Sequence, residues 1–135
     1  MDTEPIATAW AEAWNGTDPE RLGALFTEEG TYTDQAVGVT MSGREQVSGW
    51  KARTDLFIAD VHAAVGAAYR ADGRIIVESI YSGHINGAPA PFAVPMATIL
   101  DLDPAGALIA ADRDYYSLNA VLAQSGLPAD WQPVE

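Results

Sequence analysis

Apolar residues at helical spacing open the chain. Ile6, Trp10 and Trp14 recur every four residues, which predicts an amphipathic first helix. The pair Asn15-Gly16 follows, and this pair is typical of a helix that ends in a left-handed cap.

Two further helices are indicated by their start signals. Asp18 is a common N-cap residue and Pro19 is common at the first helical position, so we predict a second helix there. The segment Ser42-Gly43-Arg44-Glu45 predicts the start of a third helix. The apolar positions assigned to these two helices are Leu22, Leu25, Phe26, Val47 and Trp50.

After the helices, the pattern changes to extended runs. The predicted strands cover residues 31–34, 57–69, 75–85, 92–102 and 107–116, and a short closing helix covers residues 118–124. Asp72-Gly73 and Pro104-Ala105-Gly106 are turn signals between consecutive runs, so the sheet should be mostly antiparallel. We therefore predict one α+β domain over residues 1–135, in which N-terminal helices cover the concave face of a curved sheet and enclose a pocket.

Composition limits the class of protein. Of the 135 residues, 48% are hydrophobic and 19% are charged. No apolar run reaches the roughly 18 residues that a membrane-spanning helix needs. The first residues lack the basic start and apolar core of a secretion signal, and the chain has no cysteine, which excludes disulfides and a cysteine nucleophile. We expect a cytoplasmic protein.

The charge indicates the kind of partner. Nineteen acidic residues against seven Lys and Arg give a net charge of −12. This charge disfavours nucleic acid and anionic membranes, and it favours a neutral or cationic small molecule. His62 and His84 are the only histidines in the sequence and show no metal-binding spacing, so we expect neither a metal nor a cofactor.

Paired acids in the last predicted strand are the first candidates for chemistry. Asp112 and Asp114 lie two residues apart, so both carboxylates should point to the same face of the sheet. Neighbouring acids raise each other's pKa, and burial raises it further, which produces a proton donor or base near neutral pH. The alternative is a solvated edge strand with Arg113 on the opposite face.

Four segments together carry a family resemblance. They are Ala13-Trp14-Asn15-Gly16-Thr17-Asp18, Leu25-Phe26-Thr27-Glu28-Glu29-Gly30-Thr31-Tyr32-Thr33-Asp34, Ser42-Gly43-Arg44-Glu45 and Asp112-Arg113-Asp114-Tyr115-Tyr116-Ser117-Leu118. Over nearly its whole length the chain resembles the SnoaL-like branch of the nuclear transport factor two superfamily, which includes ketosteroid isomerases, limonene epoxide hydrolases and polyketide cyclases. The resemblance implies a cone-shaped fold with a pocket, and it leaves the reaction open because one fold hosts unrelated chemistries.

The comparison with ketosteroid isomerases implies a role for Asp34. This residue falls where those enzymes carry their proton-shuttling carboxylate. Their two oxyanion donors, a Tyr and a protonated Asp, correspond to Trp10 and Thr98, so both donor positions differ from the isomerase pattern.

Two other branches imply overlapping residues. In limonene epoxide hydrolases, Tyr32 and Asp34 would match the water-positioning Tyr and Asn, and Asp114 would match one acid of an Asp-Arg-Asp triad. Ile80 and Ser82 fall where the Arg and the other Asp are expected. Polyketide cyclases of this branch pair an Asp with a nearby His, which here implies Asp112 or Asp114 with His84.

These observations lead to a hypothesis of acid–base catalysis without a cofactor, on a hydrophobic polyketide-like or terpenoid substrate, as in a cyclase or isomerase. Asp34 would remove a proton, Asp112 or Asp114 would donate to the developing oxyanion, and Tyr32 would orient the substrate. The residues expected to line the pocket and bind the substrate are Trp10, Trp14, Phe92, Met96 and Thr98. The alternatives are a limonene-type epoxide hydrolase and a non-catalytic module for binding small molecules or for dimerisation.

The run 61–69 is apolar on both faces of its predicted strand, which is more than one buried face requires. We therefore predict a homodimer through the outer face of the sheet, as the resemblance also implies. His62 should lie on that outer face or in a subunit contact. Glu78 should be either paired or exposed, since an unpaired buried carboxylate is costly.

Overall fold

The computed structural model describes residues 4–133. Its helices are α1 (Pro5–Asn15), α2 (Pro19–Gly23), α3 (Arg44–Phe57) and α4 (Leu118–Ser125), and its strands are β1 (Phe26–Asp34), β2 (Val39–Ser42), β3 (Ile58–Ala71), β4 (Arg74–Ile85), β5 (Phe92–Leu102) and β6 (Ile109–Tyr115). The predicted α+β arrangement is confirmed, with helices on the inner face of a curved six-stranded sheet.

The strands follow the spatial order β2-β1-β6-β5-β4-β3. All neighbouring pairs are antiparallel except β1 and β6, which are parallel. The parallel pair brings an early and a late segment of the chain together in register, with Tyr32 opposite Asp112 and Asp34 opposite Asp114. The centre of the sheet therefore holds the acids that the sequence singled out.

Alternation along the strands separates an inner face from an outer face. In β5 the buried side chains are Phe92, Val94, Met96, Thr98 and Leu100. The same period of two continues in β6, where Asp112 and Asp114 are buried and Tyr115 is exposed. Helix α1 buries Trp10 and Trp14 in the main core, as its four-residue spacing predicts.

Several local expectations need correction. Gly16 has an extended backbone and not a left-handed one, and Glu4 caps the start of α1 by accepting the N–H groups of Ile6 and Ala7 at 2.7 and 3.0 Å. Helix α2 ends at Gly23, so Leu25 and Phe26 are not part of its buried stripe. Phe26 instead starts β1, which begins five residues before the prediction.

Strand β2 and the parallel pairing were not predicted. Strand β2 has four residues, of which none is fully buried, so it carries no strong pattern. No helix in residues 4–133 is long and apolar enough to cross a membrane.

Candidate functional site

A cavity of about 310 Å³ lies on the inner face of the sheet, under helices α3 and α4. Asp34, Asp114 and Tyr32 line it together with Trp14, Trp50 and Met96. Five lining residues are exposed and therefore mark its mouth: Val37, Phe57, His62, Gln132 and Pro133. The carboxylates lie away from the mouth, since Asp34 is 5% and Asp114 is 3% exposed.

Asp34 is held at the end of β1 by two donors. The phenol of Tyr116 donates to its Oδ2 at 2.7 Å, and the backbone N–H of Val37 donates to its Oδ1 at 2.9 Å. Burial raises the pKa of this carboxyl, and the two hydrogen bonds oppose that rise only in part. Asp34 therefore combines a fixed orientation with a proton affinity above that of an exposed aspartate.

Asp114 accepts two hydroxyl groups from neighbouring strands. Tyr32 on β1 donates to its Oδ2, and Thr98 on β5 donates to its Oδ1 at 2.7 Å. Burial raises its pKa, while its contact with Asp112 and the hydrogen bonds from Tyr32 and Thr98 lower it. Asp114 is thus fixed by hydroxyl groups on both neighbouring strands.

Asp112 is fully buried and does not line the cavity. Its Oδ2 accepts the indole N–H of Trp10 at 3.0 Å, and its Oδ1 accepts from no N–H or O–H group within the described residues. Burial and the negative charge of Asp114 raise the pKa of Asp112 well above its ordinary value. Asp112 therefore favours the protonated, neutral form.

Aromatic rings form two walls around the acids. On one side the ring centroids of Trp14 and Tyr32 are 5.9 Å apart, and those of Tyr32 and Trp50 are 6.4 Å apart. On the other side Tyr81 packs edge-on against Tyr116 at 5.1 Å. Burial and the neighbouring carboxylates raise the pKa values of Tyr32, Tyr81 and Tyr116, so all three stay protonated as donors near neutral pH.

The Lys and Arg side chains that the structure describes lie outside the cavity. Neither Lys nor Arg lines the cavity within residues 4–133. Arg113 donates from the other face of the sheet to Asp101 at 2.8 Å. Lys51 is fully buried behind Trp14, with its ammonium 5.4 Å from that ring, where Asp55 and the carbonyls of Trp14 and Gly16 accept its hydrogen bonds. Within residues 4–133, no lysine or arginine therefore pairs with the acids of the cavity.

The structure brings together only part of the predicted site. Tyr32, Asp34, Asp114, Trp14 and Met96 line the cavity. The expected lining is wrong for Trp10 and Thr98, which lie behind the cavity wall and act through hydrogen bonds to Asp112 and Asp114. Helical spacing for Trp10 and strand periodicity for Thr98 indicated the buried face correctly, but not the distance of each residue from the open space.

Four more positions singled out in the sequence lie away from the buried acids of the cavity. Phe92 does not line the cavity but packs in a second core cluster with Val94 and α4. His84 is outside the cavity, where a ring nitrogen lies 2.8 Å from the carbonyl oxygen of Ala88. His62 was expected on the outer face, but it lies at the cavity mouth, and Glu78 is exposed on the outer face.

The sequence reasoning missed Tyr116, Trp50, Tyr81 and the C-terminal segment that contains Trp131. The sequence could have indicated Tyr116, because it lies one residue after β6 and has the same parity as Asp112 and Asp114. The sequence predicts Trp50 on the apolar side of its helix, and only the tertiary structure shows that this side faces the cavity. Within residues 4–133, no group of three or more acids or histidines is placed to hold a metal ion.

One solved structure is similar to this chain in sequence as well as in fold. It is a protein from Catenulispora acidiphila with a ketosteroid isomerase-like fold, solved in complex with trimethylamine. It is 59% identical, the match covers 98% of this chain and 100% of that one, and the TM-score is 0.95. No curated protein matches the chain.

More distant structures share the fold. A SnoaL-like polyketide cyclase from Shewanella denitrificans is 13% identical with a TM-score of 0.78, over 89% of this chain and 93% of that one. An LEH-like epoxide hydrolase from M. tuberculosis is also 13% identical with a TM-score of 0.73, over 89% of this chain and 86% of that one. The family model of the SnoaL-like domain matches residues 7–111, and the chain therefore belongs to the SnoaL-like family.

Proposed function

We propose that this protein binds an organic ammonium ion in its cavity, with Asp34 and Asp114 as counter-ions and the aromatic rings as walls. One observation carries the proposal: two buried carboxylates line an aromatic cavity that no Lys or Arg within the described residues also lines. An isolated buried negative charge is costly, and a cationic ligand offsets that cost.

The aromatic walls support the same ligand class. The faces of Trp and Tyr rings attract cations, and this attraction is stronger where water is excluded. Trp14, Tyr32 and Trp50 supply adjacent rings on one side of the acids. The net charge of −12 also concentrates cations near the protein. The 59% identical relative was solved with trimethylamine, a base that is protonated near neutral pH.

Calorimetric titration with a pair of ligands of equal shape tests the proposal. Choline carries a trimethylammonium group, and 3,3-dimethyl-1-butanol has the same shape without the charge. We expect choline to bind at least roughly tenfold more tightly, because only the cation interacts with the carboxylates and the ring faces. Equal affinities, or binding of the alcohol alone, would contradict the proposal.

A second candidate is acid–base catalysis on a hydrophobic polyketide-like or terpenoid substrate, as in a cyclase or isomerase. The raised pKa of Asp34 and its fixed position beside Tyr116 support this candidate. The epoxide hydrolase alternative has less support. The described lining contains no arginine, and Ile80, where the family arginine would stand, is exposed on the outer face.

The catalytic candidate is tested on any substrate found by screening. Asp34→Asn should lower turnover by roughly a hundredfold, since general acid–base groups typically contribute factors of 10² to 10⁴. Substrate binding should change little if the substrate is neutral. Full activity of this variant would show that Asp34 serves binding and not proton transfer.

We also propose that the protein is a homodimer. The outer face of the sheet exposes Ile76, Ile80 and Tyr115, which together form an apolar surface around Glu78. A second copy would cover this surface by two-fold symmetry. Light scattering at micromolar concentration should give twice the mass of the chain, and a monomeric mass would refute the proposal.

A further inference from the structure

The polar groups of the cavity are concentrated in its deep part. Asp34 and Asp114 are almost fully buried there, beside the phenols of Tyr32 and Tyr116. These four groups are the part of the cavity that suits an ammonium ion.

The remaining wall is apolar and continues to the mouth. Its side chains come from β3, β4 and α4, namely Ile58, Val61, Ile85, Leu118, Val121 and Leu122. At the mouth, Val37 is 48% exposed and Phe57 is 37% exposed, although both are large apolar residues. Exposed apolar side chains that continue a cavity wall are typical of a ligand-binding groove.

The volume of the cavity exceeds what a methylated ammonium group fills. A cavity of about 310 Å³ falls within the range of pockets that bury a drug-sized molecule. Trimethylamine consists of one nitrogen and three methyl groups, so it would leave most of the apolar wall without a contact.

We propose that the ligand of this cavity is an amphiphilic ammonium compound. Its charged head lies against Asp34 and Asp114, and its apolar tail extends along α4 towards Val37 and Phe57. This inference rests on the proposed function and adds the apolar tail as a requirement of the site. Burial of the tail supplies affinity, and the acids supply selectivity for the charged head.

Calorimetry with a series of alkyltrimethylammonium ions tests the tail. The series runs from tetramethylammonium through ethyl and butyl to hexyl, at concentrations below micelle formation. We expect affinity to rise by about threefold to fourfold for each added methylene until the tail reaches the mouth. An affinity that stays level or falls from tetramethylammonium onward would overturn the inference and leave the ammonium proposal intact.

A matched series of neutral alcohols with the same tails separates the two proposals. If these alcohols bind as tightly as the cations, the ammonium proposal fails even if the tail is bound. Weaker binding of the alcohols, with the same gain per methylene, supports both proposals.

Variants at the mouth locate the tail. Phe57→Ala should weaken binding of the hexyl compound by roughly tenfold, and that of tetramethylammonium by a smaller factor. Leu56→Ala is the matched control, because Leu56 is 75% exposed next to Phe57 and does not line the cavity. Equal losses for the short and long ligands in Phe57→Ala would contradict the assigned path.

Discussion

The acids on the two faces of the sheet differ in their partners and in the direction of their pKa shifts. On the inner face, Asp34 and Asp114 accept hydrogen bonds from neutral donors, and burial raises their pKa values. On the outer face, Asp101 pairs with Arg74 at 2.6 Å and with Arg113 at 2.8 Å, and these hydrogen bonds and charges lower its pKa. Because Arg113 and Asp114 are adjacent in sequence, the alternation of one strand places a cation outside and an acid inside.

This difference indicates which acids would interact favourably with a cationic ligand. The outer acid is already neutralised by the protein and has little to gain from a ligand. The inner acids are hydrogen-bonded, but no Lys or Arg of the described residues lines their cavity, so a cation that entered it would compensate their charge. Substitutions on the two faces of the sheet test this contrast.

The largest effect should come from removing an inner charge. Asp114→Asn should weaken binding of tetramethylammonium by roughly thirtyfold or more, because loss of one member of a buried charge pair typically costs about 2 kcal/mol or more. Asp101→Asn is the control on the outer face and should change affinity by less than about twofold. Equal effects in the two variants would show that the cation does not bind on the inner face.

The aromatic wall should contribute less than the charge. Trp50→Leu should weaken binding of tetramethylammonium by about tenfold, in line with cation–π interactions at partly desolvated sites. Tyr69→Leu replaces an exposed aromatic ring that does not line the cavity, and it should have no effect. Calorimetry on both variants decides, and an unchanged affinity in Trp50→Leu would exclude its ring from the binding site.

Stability should depend on pH in opposite directions for the two faces. The folded protein holds the proton of Asp34 more tightly than the unfolded chain does. The free energy of unfolding should therefore decrease as pH rises from the ordinary aspartate pKa through the raised pKa of Asp34. Asp101 contributes stability above the ordinary pKa, and this contribution is lost as pH falls through its lowered pKa.

Thermal unfolding at pH 7 measures both signs. Asp34→Asn should raise Tm by a few degrees, because the neutral side chain removes the cost of a buried charge, whereas Asp101→Asn should lower Tm slightly. A lower Tm in Asp34→Asn would mean that its hydrogen bonds to Tyr116 and Val37 outweigh the cost of burial. Calorimetric titrations at a series of pH values should show that ammonium binding weakens as pH falls through the raised pKa of Asp34.

The smallest effect is expected at Asp112. Asp112 lies behind the cavity wall, and an Asn side chain still accepts from Trp10, so Asp112→Asn should change ligand affinity by less than about twofold. If Asp112→Asn weakens binding as much as Asp114→Asn does, then Asp112 carries a charge in the native protein.

Much of the fold could be predicted because each element repeats a simple period. The bounds of β5 agree with the predicted run at both ends, since apolar and exposed positions alternate throughout it. His62 shows where such reasoning fails. A register shift lies between Ala59 and His62, and Asp60 has a φ of 57°, so the alternation is interrupted and parity no longer identifies the face.

The site itself was only partly predictable. The acids were found because carboxylates in an apolar strand are conspicuous. The choice between lining the cavity and lying behind it, which separates Asp114 from Asp112, depends on how the helices and the C-terminal segment cover the sheet. That packing is a property of contacts distant in sequence, and no local pattern contains it.

Two hydrogen bonds that link β1 to the end of β6 and the residue after it have a consequence for folding. Tyr32 donates to Asp114 and Tyr116 donates to Asp34, and each bond joins residues 82 positions apart. Contacts of such long range form late in folding, because a large loop must close first. While the chain emerges from the ribosome, Tyr32 and Asp34 are made long before their partners. We therefore expect the proposed site to be completed only when the last strand docks beside the first.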